Sequence, residues 1–122
     1  SNWVKADFPE PFFWITAYRA TTPSRIGIFV SIRDDTNADF ANVYFTERLQ
    51  LLKDELGENI SLEYKPDSKG WDRGLFISCS HHIEIYDDKT EDTQIKWLEN
   101  KLNQFVNVLR PICREFMNEM EN

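Results

Sequence analysis

FFWITAYRATTPSRIGIFVSIR, residues 12–33, holds the reading that decides the fold. Residues 12–20 are rich in β-branched and aromatic types and read as a strand, Thr21-Thr22-Pro23-Ser24 reads as a turn, and 25–33 as a second strand, so the pair forms a hairpin. In the second strand Ile26, Ile28, Val30 and Ile32 alternate onto one face. Arg25, Gly27, Phe29, Ser31 and Arg33 take the other. One side of this hairpin therefore needs a covering layer.

The chain downstream supplies it. Asp34-Asp35-Thr36-Asn37 offers capping residues for a helix of about twenty residues. On it Phe45, Leu49, Leu52 and Leu56 recur at three- and four-residue steps, and Gly57 stops it. Residues 60–65 (ISLEYK) alternate as a strand with Ile60, Leu62 and Tyr64 inward. A polar loop through Pro66 and Gly70 leads to a strand at 73–79, and 82–86 reads as an extension of the sheet or a short edge. Asp88 and Glu91 resemble a capping box opening a long last helix. Ile95, Leu98, Leu102, Phe105, Leu109, Ile112 and Phe116 form its apolar stripe, and Pro111 predicts a kink. The order is β-β-α-β-β-α: an α+β fold with a mainly antiparallel sheet and two helices packed on one face. Residues 1–11 read as an N-terminal arm with Trp3 and Phe8 tucked onto the body.

Size and charge bound the rest. A chain of 122 residues is expected to form a single domain, 1–122, that buries enough surface to need no metal or disulfide staple. Its net charge of −7 favours solubility and discourages non-specific attraction to DNA or anionic membranes. No apolar run approaches the ~20 residues that cross a bilayer. Cys79 and Cys113 fit no paired framework, so reduced thiols in a cytoplasmic protein are expected. The abrupt start reads as that of a piece of a longer protein.

Several elements resemble the family catalogued as domain of unknown function 4268, with Leu56-Gly57 closing a helix, Leu62-Glu63-Tyr64 in the following strand, and Trp97-Leu98, Phe105 and Arg110-Pro111 on the last helix. The similarity covers roughly residues 25–118 and slips by about one helical turn in the first helix. It implies a C-terminal module of bacterial or archaeal proteins, some carrying nuclease-like or restriction-related segments. It carries over no catalytic residue.

Four constellations bear on function. Glu63 and Lys65 alternate onto one strand face, and with Asp34 and Asp35 they are the residue types that hold a divalent ion in a nuclease. The same pattern is that of solvent-facing charges on a half-buried strand, and the usual Pro-Asp context is missing. Cys79, His81, His82 and Cys113 have zinc-ligating chemistry, but His82 points away from Cys79 and His81, and Cys113 lies on a distant helix. No cofactor is expected. The apolar stripe of the last helix suits either intramolecular packing or a homodimer seam, with Met117 and Met120 placed to project.

The fourth is a surface. If the isoleucine side of the hairpin is covered, Trp14, Tyr18, Arg25, Phe29 and Arg33 share the opposite side. Exposed aromatic patches mark interaction sites. The expected function is a non-catalytic protein-interaction module contacting a protein or another domain of its parent chain. A nucleic-acid-binding domain using the same rings and guanidinium groups is the first alternative, and a metal-dependent nuclease fragment the second.

Overall fold

The computed structural model describes residues 3–21, 24–33, 35–82 and 88–121. Its elements are β1 (Trp3–Asp7), β2 (Trp14–Thr21), β3 (Ser24–Ile32), α1 (Asp35–Glu47), α2 (Leu49–Leu56), β4 (Ile60–Lys65), a 3-10 turn (Gly70–Asp72), β5 (Gly74–His82) and α3 (Asp88–Glu121). The strands form one antiparallel sheet in the order β1-β2-β3-β5-β4. The class is α+β as expected, with two differences in the order of elements and one in the extent of a strand.

The first difference is at the start. The stretch read as an arm contains an edge strand, because Val4 pairs with Ala17 and Ala6 with Ile15 on β2. Its charged and apolar residues alternate, which lets a short, polar strand complete a sheet edge. Phe8 turns inward and is buried, and its N–H donates to the Phe13 carbonyl at 3.0 Å to close the connection.

The second is a break in the first helix. The expected twenty-residue helix is two helices joined at Arg48. The Arg48 Nη1 donates to the Tyr44 carbonyl at 2.8 Å, and the Arg48 backbone N–H donates instead to Phe45 at 3.1 Å. A side chain that occupies a ladder acceptor interrupts the regular bond pattern and bends the helix. The bend carries Phe45, Leu52 and Leu56 into the core together, while Leu49 packs at its margin.

The third concerns β5, which runs through His81 and His82 rather than stopping at residue 79. Residues 83–86 of the proposed extension lie outside the described residues, as do Asp34 and the turn at 22–23.

Ile26, Ile28, Val30 and Ile32 are all buried, with Leu75, Ile77 and Cys79 beside them on β5. Phe45, Leu52, Leu56, Phe105, Leu109 and Phe116 from the helices fill the layer above. Phe12 joins Phe45 edge to face, with ring centroids 5.3 Å apart. Each such side chain contributes about 1.5–3 kcal/mol through removal of apolar surface from water. The contacts of α1 with β4 and β5, α2 with β4, and α3 with β3 lie on this face. It is the only face the helices cover among the described residues.

The α3 helix runs unbroken through Pro111 to Glu121, the long last helix expected from the sequence. Its C-terminal stripe is buried as expected, but Ile95 is 45% exposed and Gln94 is buried in its place. A strict seven-residue repeat drifts by about 20° per heptad on a straight helix, so the stripe rotates off the core toward the N-terminus. Met117 and Met120 do not project; they pack against the core.

Candidate functional site

The uncovered face of the sheet follows from the register. Lys5 lies opposite Thr16, Thr16 opposite Phe29, Phe29 opposite Ser78, and Ser78 opposite Ser61. Opposed residues in an antiparallel pair share a face. The same face therefore holds Asp7, Trp14 and Tyr18 on the β1–β2 side, Arg25, Gly27 and Ser31 on β3, and Phe76, Glu63 and Lys65 on the β5–β4 side. Arg33 continues the alternation of β3 just beyond the strand. The structure thus brings Trp14, Tyr18, Arg25, Phe29 and Arg33 to one surface.

Tyr18, Phe29 and Phe76 form a continuous band of rings. Tyr18 and Phe29 are 6.0 Å apart between centroids, and Phe29 and Phe76 are 6.2 Å apart, both tilted. Trp14 stands on the same face, four residues before Tyr18 on β2, and is 46% exposed. Tyr18 lies across Gly27: a Cβ there would sit 2.5 Å from the ring. The absent side chain is what lets the ring settle against the sheet. At the lower end, Trp71 from the 3-10 turn folds over the corner, 66% exposed.

Cations sit on these rings. The Arg33 guanidinium lies 3.6 Å from the Trp71 centroid and donates weakly to the Trp71 carbonyl at 3.4 Å. Partial burial pulls its pKa below the ordinary value, which leaves it charged at neutral pH. Lys5 is 5.6 Å from the Trp14 ring and 5.1 Å from that of Trp71. Arg25 stands 5.8 Å from Tyr18, and Lys65 5.6 Å from Phe76. Such pairs at exposed sites are worth about 0.5–1 kcal/mol each, so they order the surface more than they stabilise the fold.

Phe76, Trp71, Lys5 and Lys65 join this surface in addition to the five residues expected there. Phe76 was legible, since it alternates with Leu75, Ile77 and Cys79. Trp71 carried a signal too, as a lone large ring in a polar loop. Lys5 had none until β1 was known to pair.

The other constellations fare differently. Glu63 and Lys65 do share a face, but they pair with one another at 3.3 Å and both are exposed. The side chain of Asp35 and all of Asp34 lie outside the described residues, and no group of three metal-ligating side chains occurs among the described ones. Cys79 and His81 share the helix-covered side, where His81 stacks on Trp97 at 5.4 Å between centroids; His82 lies on the outer face opposite Arg25. Both cysteines are free and buried. A separate open depression of about 470 Å3 lies between Pro9 and Glu10 and the Arg110–Asn118 stretch of α3, and holds none of the expected site residues.

No helix among the described residues is long and apolar enough to cross a membrane. Comparison with protein-family models, curated proteins and solved structures gives no match to this chain.

Proposed function

We propose that this domain is a non-catalytic interaction module that docks a protein partner, or another domain of its parent chain, through the outer face of its sheet. One observation supports this above the rest: the band of Tyr18, Phe29 and Phe76, with Trp14 on the same side, stands on a sheet face that no described helix covers. Aromatic and arginine side chains are the types most enriched at the energetic centres of protein interfaces. The resemblance to domain of unknown function 4268 belongs to the same proposal, with a prokaryotic, restriction-associated parent.

A nucleic-acid reading draws on Tyr18, whose ring lies on Gly27 with Arg25 beside it, an arrangement that also suits base stacking. The nuclease reading has less support, because Glu63 is already paired with Lys65.

Selection of a random peptide library on the domain tests the proposal. Enriched peptides are expected to bind wild type and to lose at least about tenfold in affinity on Trp14→Ser or Phe29→Ser, each checked for retained folding. Equal binding to those variants would remove the outer face as the docking surface. Magnesium-dependent cleavage of DNA that disappears in Glu63→Ala would overturn the non-catalytic reading.

A further inference from the structure

Among the described strand residues and Arg33, the outer face carries more cations than carboxylates, although the molecule is acidic. Lys5, Arg25, Arg33 and Lys65 stand there with Asp7 and Glu63, of which Lys65 and Glu63 pair with one another, while the chain as a whole carries −7. Each cation lies over one of the rings, and the residues that carry them stand toward the margins of the face. Arg25 and Arg33 stand at opposite ends of β3, about 27 Å apart for eight extended steps. Lys5 lies toward the β1 edge, and Lys65 toward the β4 edge near the Arg33 end. Between them the central row begins with Lys5 at the β1 edge and continues through the uncharged Thr16, Phe29, Ser78 and Ser61.

Resting on the docking reading above, we infer that the partner is a polypeptide surface with an apolar centre and an acidic periphery. Protein interfaces place aromatic residues centrally and charge at the rim, and complementary rims set partner choice. A single nucleic-acid strand fits less well. It carries a phosphate on every nucleotide and needs a continuous positive track, whereas these cations are scattered around a neutral centre. Asp7 and Glu63 also stand in one cross-strand row with Trp14 and Phe76, where a phosphate backbone crossing those rings would meet them. The rest of the chain carries the acidic excess, so this face offers an acidic partner a local attraction that the net charge does not. At physiological salt that repulsion fades beyond about 8 Å, so the local excess governs docking.

The test uses fluorescein-labelled synthetic peptides of about twelve residues, long enough to reach from Arg25 to Arg33. One alternates Glu and Asp with Leu and Val, one replaces the acids by Gln and Asn, and oligo(dT) and oligo(rU) serve as polyanion controls. The acidic peptide is expected to bind at least tenfold more tightly than its amide counterpart, a difference that shrinks with added salt and disappears in Arg25→Glu/Arg33→Glu. Both arginines are at least partly exposed and the ring contacts they lose are worth about 0.5–1 kcal/mol each, so the charge-reversed variant is expected to stay folded with a modestly lowered unfolding midpoint. Equal binding of the two peptides, lost in Trp14→Ser but not in the charge-reversed variant, would overturn the acidic partner and leave the docking surface standing. Tighter binding of either oligonucleotide than of the acidic peptide would overturn the polypeptide class, and the docking reading with it. Absence of all binding by a folded domain would overturn both.

Discussion

Gly27 and Gly74 show how much of this surface depends on single positions. At Gly27 any side chain would meet the Tyr18 ring at 2.5 Å, so the ring would have to leave the sheet. Gly27→Val is expected to destabilise by about 1–3 kcal/mol, an overpacking cost, and to couple with Tyr18→Ala in a double-mutant cycle followed by denaturant unfolding. Gly74 is held differently: its φ is +122°, and a Cβ there would fall 2.1 Å from the Ile32 carbonyl oxygen. There the backbone, not a movable ring, excludes a side chain. Cys113 illustrates a residue with a structural rather than chemical role. Burial pushes its thiol up to about 12, and Cys79 is pushed up for the same reason, opposed by Lys101. The unfolded chain therefore ionises its thiols first, from about pH 8.5 upward. Stability is constant with respect to Cys113 below that point and falls above it by up to about 1.4 kcal/mol per pH unit. Denaturant titrations between pH 7 and 10 are expected to show a shallower alkaline decline in Cys113→Ala than in wild type.

At the scale of elements, α3 separates a residue's type from its position. Its apolar stripe reads as unbroken in sequence, yet only the C-terminal half is deeply buried. Leu109→Ala is expected to cost about 2–5 kcal/mol, because it leaves a cavity beneath β3. Ile95→Ala, at 45% exposure, is expected to change stability by no more than about 0.5 kcal/mol. Urea unfolding of the two variants distinguishes this packing from a uniform seam. The break between α1 and α2 belongs to the same scale. Its cause, the Arg48 guanidinium seated 3.4 Å from the Tyr44 ring and bonded to the Tyr44 carbonyl, is local in sequence but depends on where the ring is held. The end of α2 is tied to α3 by Lys101, whose Nζ donates to the Leu56 carbonyl at 2.8 Å.

For the molecule as a whole, β3 is the structural centre. It is bonded on both sides, covered by helices on one face and by Tyr18 and Phe29 on the other. The edge strand β1 has one neighbour and exposed side chains from Val4 to Asp7. Native-state hydrogen exchange is expected to be slowest for the Ile26–Ile32 amides and faster by orders of magnitude in β1, since the edge opens without breaking the core. Equal protection in the two strands would mean that the sheet opens only as a unit.

What the sequence alone determined is the part written in local periodicity: the hairpin, the side of β3 that faces the core, the stripe from Phe45 to Leu56, and the long last helix. Two-residue and three-to-four-residue alternation decides which way side chains point, so the five surface candidates could be grouped before any coordinates. What only the tertiary structure decided is who lies beside whom. The pairing of β1 with β2, the placement of β5 between β3 and β4, and the arrival of Phe76, Trp71 and Lys5 at the same face are contacts between distant segments. Strand pairing depends on which edges are free once the core has formed, and short-range pattern carries no record of that.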